Sequence, residues 1–275
     1  MIARSSIGVG RFVLSGFSWL VLLYLLIPLA VIVGASFTAS PYLRFPPEGF
    51  TLHWYGQFLK DPSYLRAIWT SGLLAASAAA IALLAGVPAA LVLARSQFAA
   101  KQLLSALFFS PLILPAIVIG AAILQYASAL GFARSFWAML VGHAVIVIPY
   151  VVRTTLASLV GFDASLEEAA RDLGDSALGA FFRVTLPIIK PGVIAGTLFA
   201  VIISWINVEL SMFNTTADLM TIPVKLFNYI QYSVDPMIAA VSAGTIYVAV
   251  LVVAILDLTV GIDRVTSMNR QRTGP

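Results

Sequence analysis

Cysteine is absent from the 275 residues of this sequence, which excludes disulfides, thiolate metal sites and a cysteine nucleophile and leaves the redox compartment unread. Charge is scarce as well. Only 10% of the residues are charged and 60% are hydrophobic, with a mean hydropathy of +0.98, whereas soluble domains carry roughly 25% charged residues. A water-soluble globule is therefore excluded. The lysines Lys60, Lys101, Lys190 and Lys225 follow Leu59, Ala100, Ile189 and Val224, so the chain has no G-x-x-x-x-G-K-[ST] loop to cradle a nucleotide phosphate. The two histidines, His53 and His143, stand on different segments without ligand-like spacing. They offer no metal centre and no catalytic constellation. The 16 basic and 12 acidic residues are spread along the chain, without the concentrated basic stripe that nucleic-acid binding requires.

What the sequence has instead is long uncharged runs, most of them reaching the ~20 residues that a helix needs to cross ~30 Å of hydrocarbon. Length and punctuation predict six spans, at 13–36, 67–94, 103–125, 136–159, 192–213 and 237–261. Six spans put both termini on one side of the bilayer. With that side inside, eleven basic residues fall on inner segments (Arg4, Arg11, Arg95, Lys101, Arg153, Arg171, Arg183, Lys190, Arg264, Arg270 and Arg272) and five, Arg44, Lys60, Arg66, Arg134 and Lys225, fall outside. The positive-inside bias favours this orientation. Arg4 and Arg11 precede a stretch that is too long for a signal-peptide core and lacks a small-residue cleavage site, so a retained first span is expected. Tyr42, Phe45, Phe50, Trp54, Tyr55 and Phe58 then mark an outer segment folded along the membrane surface. Pro28, Pro88, Pro111, Pro115 and Pro149 fall inside spans. Each removes a backbone hydrogen bond, as a bundle kink or as part of a gate. Small-residue runs at Ala75 to Ala80 and Gly120 to Ala122 predict close helix approach, and His143 is expected to make an interhelical hydrogen bond.

The inner segment between the fourth and fifth spans, 161–190, is longer than a connector needs and holds Asp163, Glu167, Glu168, Asp172 and Asp175. Leu166, Ala169, Ala170 and Leu173 recur at helical spacing, which predicts a short amphipathic helix. Ser165 and Glu168 have capping-box spacing to start it, and Gly174 is placed to end it. A second short helix is expected from about Ser176 to Val184, before Pro187 and Pro191 redirect the chain. Physics alone leaves two readings, a projection that docks into a soluble partner and a helix pair lying on lipid headgroups.

Glu168, Ala169 and Ala170, then Gly174, Val184, Leu186 and Pro187, follow the spacing E-A-A-x3-G-x9-I-x-L-P with valine in place of isoleucine. This resembles the EAA motif of ATP-binding-cassette importer permeases. The resemblance implies an all-α integral membrane protein with the type I permease fold of six transmembrane helices. It would place an N-terminal helix and outer interfacial segment at 1–65, a five-helix permease core at 66–261 and a cytoplasmic tail at 262–275. It further implies that Ser165 to Ala180 form a coupling helix seated on an ATPase, with Glu168 meeting the ATPase, Ala169 and Ala170 allowing close approach and Gly174 making the turn. The implied assembly holds two cytoplasmic ATPase subunits, a second permease chain, identical or related, and an external or periplasmic solute-binding protein. The implied setting is the bacterial inner membrane with both termini cytoplasmic. No cofactor belongs to this chain, and ATP and Mg would sit on the ATPases.

Glu209, read as near the outer end of the fifth span, is costly if intramembrane. It could face a translocation path together with Trp205 and Asn207, where carboxylate and indole would suit an amine-bearing solute. The alternative places it at the interface, solvated or paired. The stretch from Ile222 to Ala243 resembles permeases of the polyamine, opine and phosphonate importer group, which implies a polyamine or aminoalkylphosphonate. Ferric iron, sulfate and molybdate permeases share the fold and stay open as alternatives. An ion-coupled secondary carrier is the rival class, but it should show internal repeats with paired broken helices, and the sequence has no clear ones.

Overall fold

The computed structural model describes residues 5–260. The expected tail at 262–275, with Arg264, Arg270 and Arg272, and the terminal Arg4 lie outside the described residues. Among the described residues, five helices are long and apolar enough to cross a membrane, or six if one bent pair counts as a single span. The chain divides into two compact units, 5–62 with 228–248 and 63–227 with 249–260.

The first unit opens with α1, Ser5–Ala35. From Gly10 to Leu29 its residues are exposed on every side. A helix that is apolar all round with nothing packed on it is built for lipid or for another protein's membrane face. The segment that follows closes on itself around Thr38, which is fully buried. Its hydroxyl accepts the N–H groups of Ser40 (3.4 Å) and Glu48 (3.2 Å), and its carbonyl accepts the Trp54 indole N–H at 2.9 Å. Helix α2, His53–Lys60, lies beside these groups. Tyr55 shares hydrogen bonds with Ser36 (2.6 Å) and Tyr247 (3.4 Å), and burial pushes its phenol up to about 12. Phe37, Phe50, Tyr55 and Phe58 form a chain of ring contacts 5.4 to 6.0 Å apart.

The second unit is a helix bundle. Helix α3, Pro62–Arg95, buries Ala75, Ala78, Ala79 and Ala82, so the alanine run does allow close approach. The expected third span is a correction: it is not one rod. Helix α4, Lys101–Phe109, with the 3₁₀ turn Ser110–Leu112, meets α5, Ala116–Ala129, at a bend of 103°. Pro115 lacks the N–H that would continue the ladder and forces Leu114 out of helical geometry. Pro28, Pro88 and Pro149, by contrast, lie inside unbroken helices.

Helix α6, Phe136–Leu159, is capped by Ser135, whose hydroxyl accepts the Ala138 N–H at 3.2 Å. With α3 it carries most of the core, contributing Met139, Val147, Val151 and Val152. Three elements separate it from the next span: α7, Ser165–Asp172; α8, Ala177–Ala180; and a π-helical turn, Phe181–Thr185. Helix α9, Leu186–Ile206, then packs along α6. At their crossing, a methyl group added to Gly196 would lie 2.8 Å from the Val151 Cα. Only a missing side chain lets the two backbones come this close. Helix α10, Ile222–Ile230, and α11, Pro236–Val260, complete the chain.

Candidate functional site

Two clusters stand at opposite ends of α9, whose 21 residues span about 30 Å at ~1.5 Å per residue. The first is the segment from Gly161 to Pro187. Gly161 turns the chain with φ +81°, and the Asp163 carboxylate then accepts the Ser165 N–H at 3.0 Å. This corrects the expected capping box. Ser165 is the first helical residue, Ala164 occupies the cap position without a side-chain bond, and the role falls to Asp163, whose shorter reach suits a donor two residues on. Hydrogen bonds from Ser165 hold the Asp163 carboxyl below its ordinary value.

Only Glu167 and Ala170 of helix α7 are half-buried, and its other residues, apolar and charged alike, are exposed. Leu166, Ala169 and Leu173 are exposed, Leu173 by 91%, and so is Glu168. The acid that faces the bundle is Glu167. Its Oε2 accepts the Thr185 hydroxyl at 2.7 Å and lies 2.8 Å from the Arg95 guanidinium at the end of α3. The Arg95 side chain also reaches the Thr185 hydroxyl at 3.4 Å and lies 5.3 Å above the Phe162 ring. Thr185 is wholly buried. The Thr185 bond, and after it Arg95, hold the Glu167 carboxyl below its ordinary value against the opposing effect of burial.

Gly174 ends α7 as expected. Its φ of +97° permits the paired bonds of a Schellman turn, Gly174 N–H to Arg171 O at 2.9 Å and Asp175 N–H to Ala170 O at 3.1 Å. Ser176 caps α8 through the Gly179 N–H at 3.0 Å. The expected redirection at Pro187 and Pro191 does not occur. The helix runs on from Ala177 to Ile206, and the π turn widens the ladder ahead of Pro187, whose missing N–H then costs no break. Val184 and Leu186 are half-buried on either side of Thr185, and Pro187 is exposed.

The second cluster is the far end of α9. The expected span 192–213 stops instead at Ile206, and Asn207 is extended. Its Oδ1 accepts the Leu210 N–H at 2.9 Å and its carbonyl accepts the Ser211 hydroxyl at 3.2 Å, so backbone groups freed by the break are met locally. Glu209 is exposed on this turn and lies outside the spanning helix. Trp205 is half-buried with its indole N–H unpartnered, and its ring edge approaches Gly72 of α3. His143 ties the break to α6. It is wholly buried, with Nδ1 2.7 Å from the Ser204 hydroxyl and Nε2 2.8 Å from the Ser211 hydroxyl, which is the expected interhelical bond made twice. The turn from Leu210 to Phe213 packs over Gly120 of α5.

Three features escaped the sequence reading. Arg95, Glu167 and Thr185 are distant in sequence and carry no motif. Ser204 and Ser211 as partners of His143 follow only from the break in α9. Gly192 and Gly196 form a G-x-x-x-G pair that was legible.

Comparison with known proteins gives a consistent picture. Residues 82–265 match the family described as binding-protein-dependent transport system inner membrane component. The chain is 31% identical over 256 residues to the spermidine/putrescine transport system permease protein PotC of Escherichia coli K12, covering 93% of this chain and 96% of that protein. It is 29% identical over 261 residues to the putrescine transport system permease protein PotI of the same organism, covering 91% and 92%. Among solved structures, a bacterial ABC transporter involved in the import of the acidic polysaccharide alginate aligns with a TM-score of 0.73 at 18% identity, over 94% of this chain and 98% of that one.

Proposed function

Because the chain belongs to the binding-protein-dependent transport system inner membrane components, we propose that it is a permease subunit of an ATP-driven polyamine importer and that α7 is its ATPase-coupling helix. It is a non-catalytic transport component with the fold of ABC importer permeases. The observation that carries the coupling role is the uncovered surface of α7. Leu166, Glu168 and, just past its end, Leu173 are exposed while Glu167 binds the bundle, and uncovered apolar groups beside an exposed acid suit a groove on a soluble protein. Ser165, Glu168, Ala169, Ala170 and Gly174 shape that surface, and Val184, Leu186 and Pro187 seat it on α9. The assembly comprises two ATPases holding ATP and Mg, a second permease chain and an external binding protein, with both termini of this chain cytoplasmic.

The polyamine reading rests on the substrates named for PotC and PotI. Trp205, Asn207 and Glu209 line the path at the break in α9, where a carboxylate and an indole face suit a chain of ammonium groups. The test is uptake of labelled spermidine and putrescine by the complete complex in proteoliposomes. ATP-dependent uptake that falls in Glu209→Gln with assembly intact supports the reading. Uptake unchanged in Glu209→Gln removes that residue from the path, and a complex that hydrolyses ATP yet imports neither amine overturns the substrate assignment.

A further inference from the structure

Helix α7 is bounded by two residues with left-handed backbone, Gly161 at φ +81° and Gly174 at φ +97°. Backbone joints of this kind bend readily, so a push on α7 is poorly carried along the main chain. Side chains supply the stiffer route. The Glu167 carboxylate gathers two donors from two other elements, the Arg95 guanidinium at the end of α3 and the Thr185 hydroxyl at the start of α9. Its side chain is 18% exposed and that of Arg95 37%, so the pair is better shielded than a surface ion pair. The Phe162 ring beneath the guanidinium fixes its orientation. Thr185 is wholly buried at the last residue of the π turn, where its hydroxyl meets both Glu167 and Arg95.

We infer that Arg95, Glu167 and Thr185 are the positioning residues that carry displacement of α7 into α3 and α9 together. This rests on the proposed function, since it needs an ATPase to move α7. Glu168 and Glu167 then divide the work, one facing the partner and the other holding the bundle.

The experiment uses the complete complex in proteoliposomes, with two readouts: the ATPase retained on purification, and the solute imported per ATP hydrolysed. Glu167→Gln and Arg95→Gln are expected to retain the ATPase and its hydrolysis while import per ATP falls roughly 5- to 150-fold, the range of ordinary coupling between sites. The exchange Arg95→Glu with Glu167→Arg should recover most of that loss. Thr185→Val, which keeps shape and spares the ion pair, should show a smaller fall. Unchanged import per ATP in Glu167→Gln overturns the inference, and so does an exchange variant as impaired as the single variants. Loss of ATPase retention in Glu167→Gln would make Glu167 a docking residue and would also overturn it. A parent complex that retains no ATPase overturns the proposed function itself, and this inference with it.

Discussion

Replacing His143 by leucine removes two hydrogen bonds from the interior of the bundle while keeping its volume approximately filled. Each nitrogen of the ring meets a serine, Ser204 at 2.7 Å and Ser211 at 2.8 Å. A neutral imidazole donates at one nitrogen and accepts at the other, and a hydroxyl can complement either role. Interhelical side-chain bonds in membrane proteins contribute about 0.6 kcal/mol on average and up to about 1.7, so two bonds give about 1.2 to 3.4 kcal/mol. The lower half of that range is expected, because Ser211 already has a second acceptor in the Asn207 carbonyl at 3.2 Å, and a helical serine can turn to the carbonyl one turn back. With about 2–4 °C per kcal/mol for a chain of this size class, His143→Leu should lower the midpoint of thermal unfolding in mild detergent by roughly 2–9 °C. The decisive comparison repeats the substitution in a Ser204→Ala, Ser211→Ala background, where it should cost much less. An equal cost in both backgrounds would refute the hydrogen-bond account and leave packing as the cause.

Three other outcomes follow from the geometry. Gly196→Val should destabilise the chain by about 1–3 kcal/mol or more, because its Cβ would meet backbone of α6 at 2.8 Å; thermal unfolding beside Gly16→Val, a helical glycine where no neighbour lies within 4 Å, separates crowding from general intolerance. Thr38→Val should leave the Glu48 and Ser40 amides without their side-chain acceptor, at about 0.5–1.5 kcal/mol for each hydrogen bond lost; faster limited proteolysis between 40 and 50 is the readout. Acid should loosen α7. The Asp163 and Glu167 carboxyls lie below their ordinary values of 3.8 and 4.5, so their contribution is complete above those values and is lost as pH falls through the lower folded ones; amide exchange over 163–175 should rise there, less steeply in Glu167→Gln, and a flat profile would contradict the assignment.

Much of this was legible from composition and length. Helices α1, α3, α6 and α11 are apolar over more than the bilayer thickness, and no other solvent suits them. Gly174 was readable because only one kind of helix end favours a left-handed residue followed by a polar restart. The bend at Pro115 was marked by two prolines in one short stretch, yet prolines elsewhere in this chain lie in continuous helices, so sequence alone does not separate a kink from a break. The fifth span ended early because Asn207 and Ser211 satisfy the freed backbone themselves, an alternative that hydropathy averaging overlooks. The inward turn of Glu167 was illegible in principle. An amphipathic pattern says that two faces differ, and the customary assumption buries the apolar one, whereas here the charged partner Arg95 comes from a distant helix and draws Glu167 inward while Leu166 and Ala169 stay exposed.

The π turn at Phe181–Thr185 gives the chain a matter of counting. Such a turn holds one residue more than its α-helical equivalent, and one residue corresponds to about 100° of rotation around the axis. The azimuth at which the chain from Ala177 to Thr185 presents its side chains to the bundle is therefore set by how many residues precede Pro187. In most loops between spans a residue can be gained or lost with little consequence. Across these five positions the same change would rotate the residues that precede it about the α9 axis by a quarter turn or more, moving Thr185 away from Glu167 and Arg95.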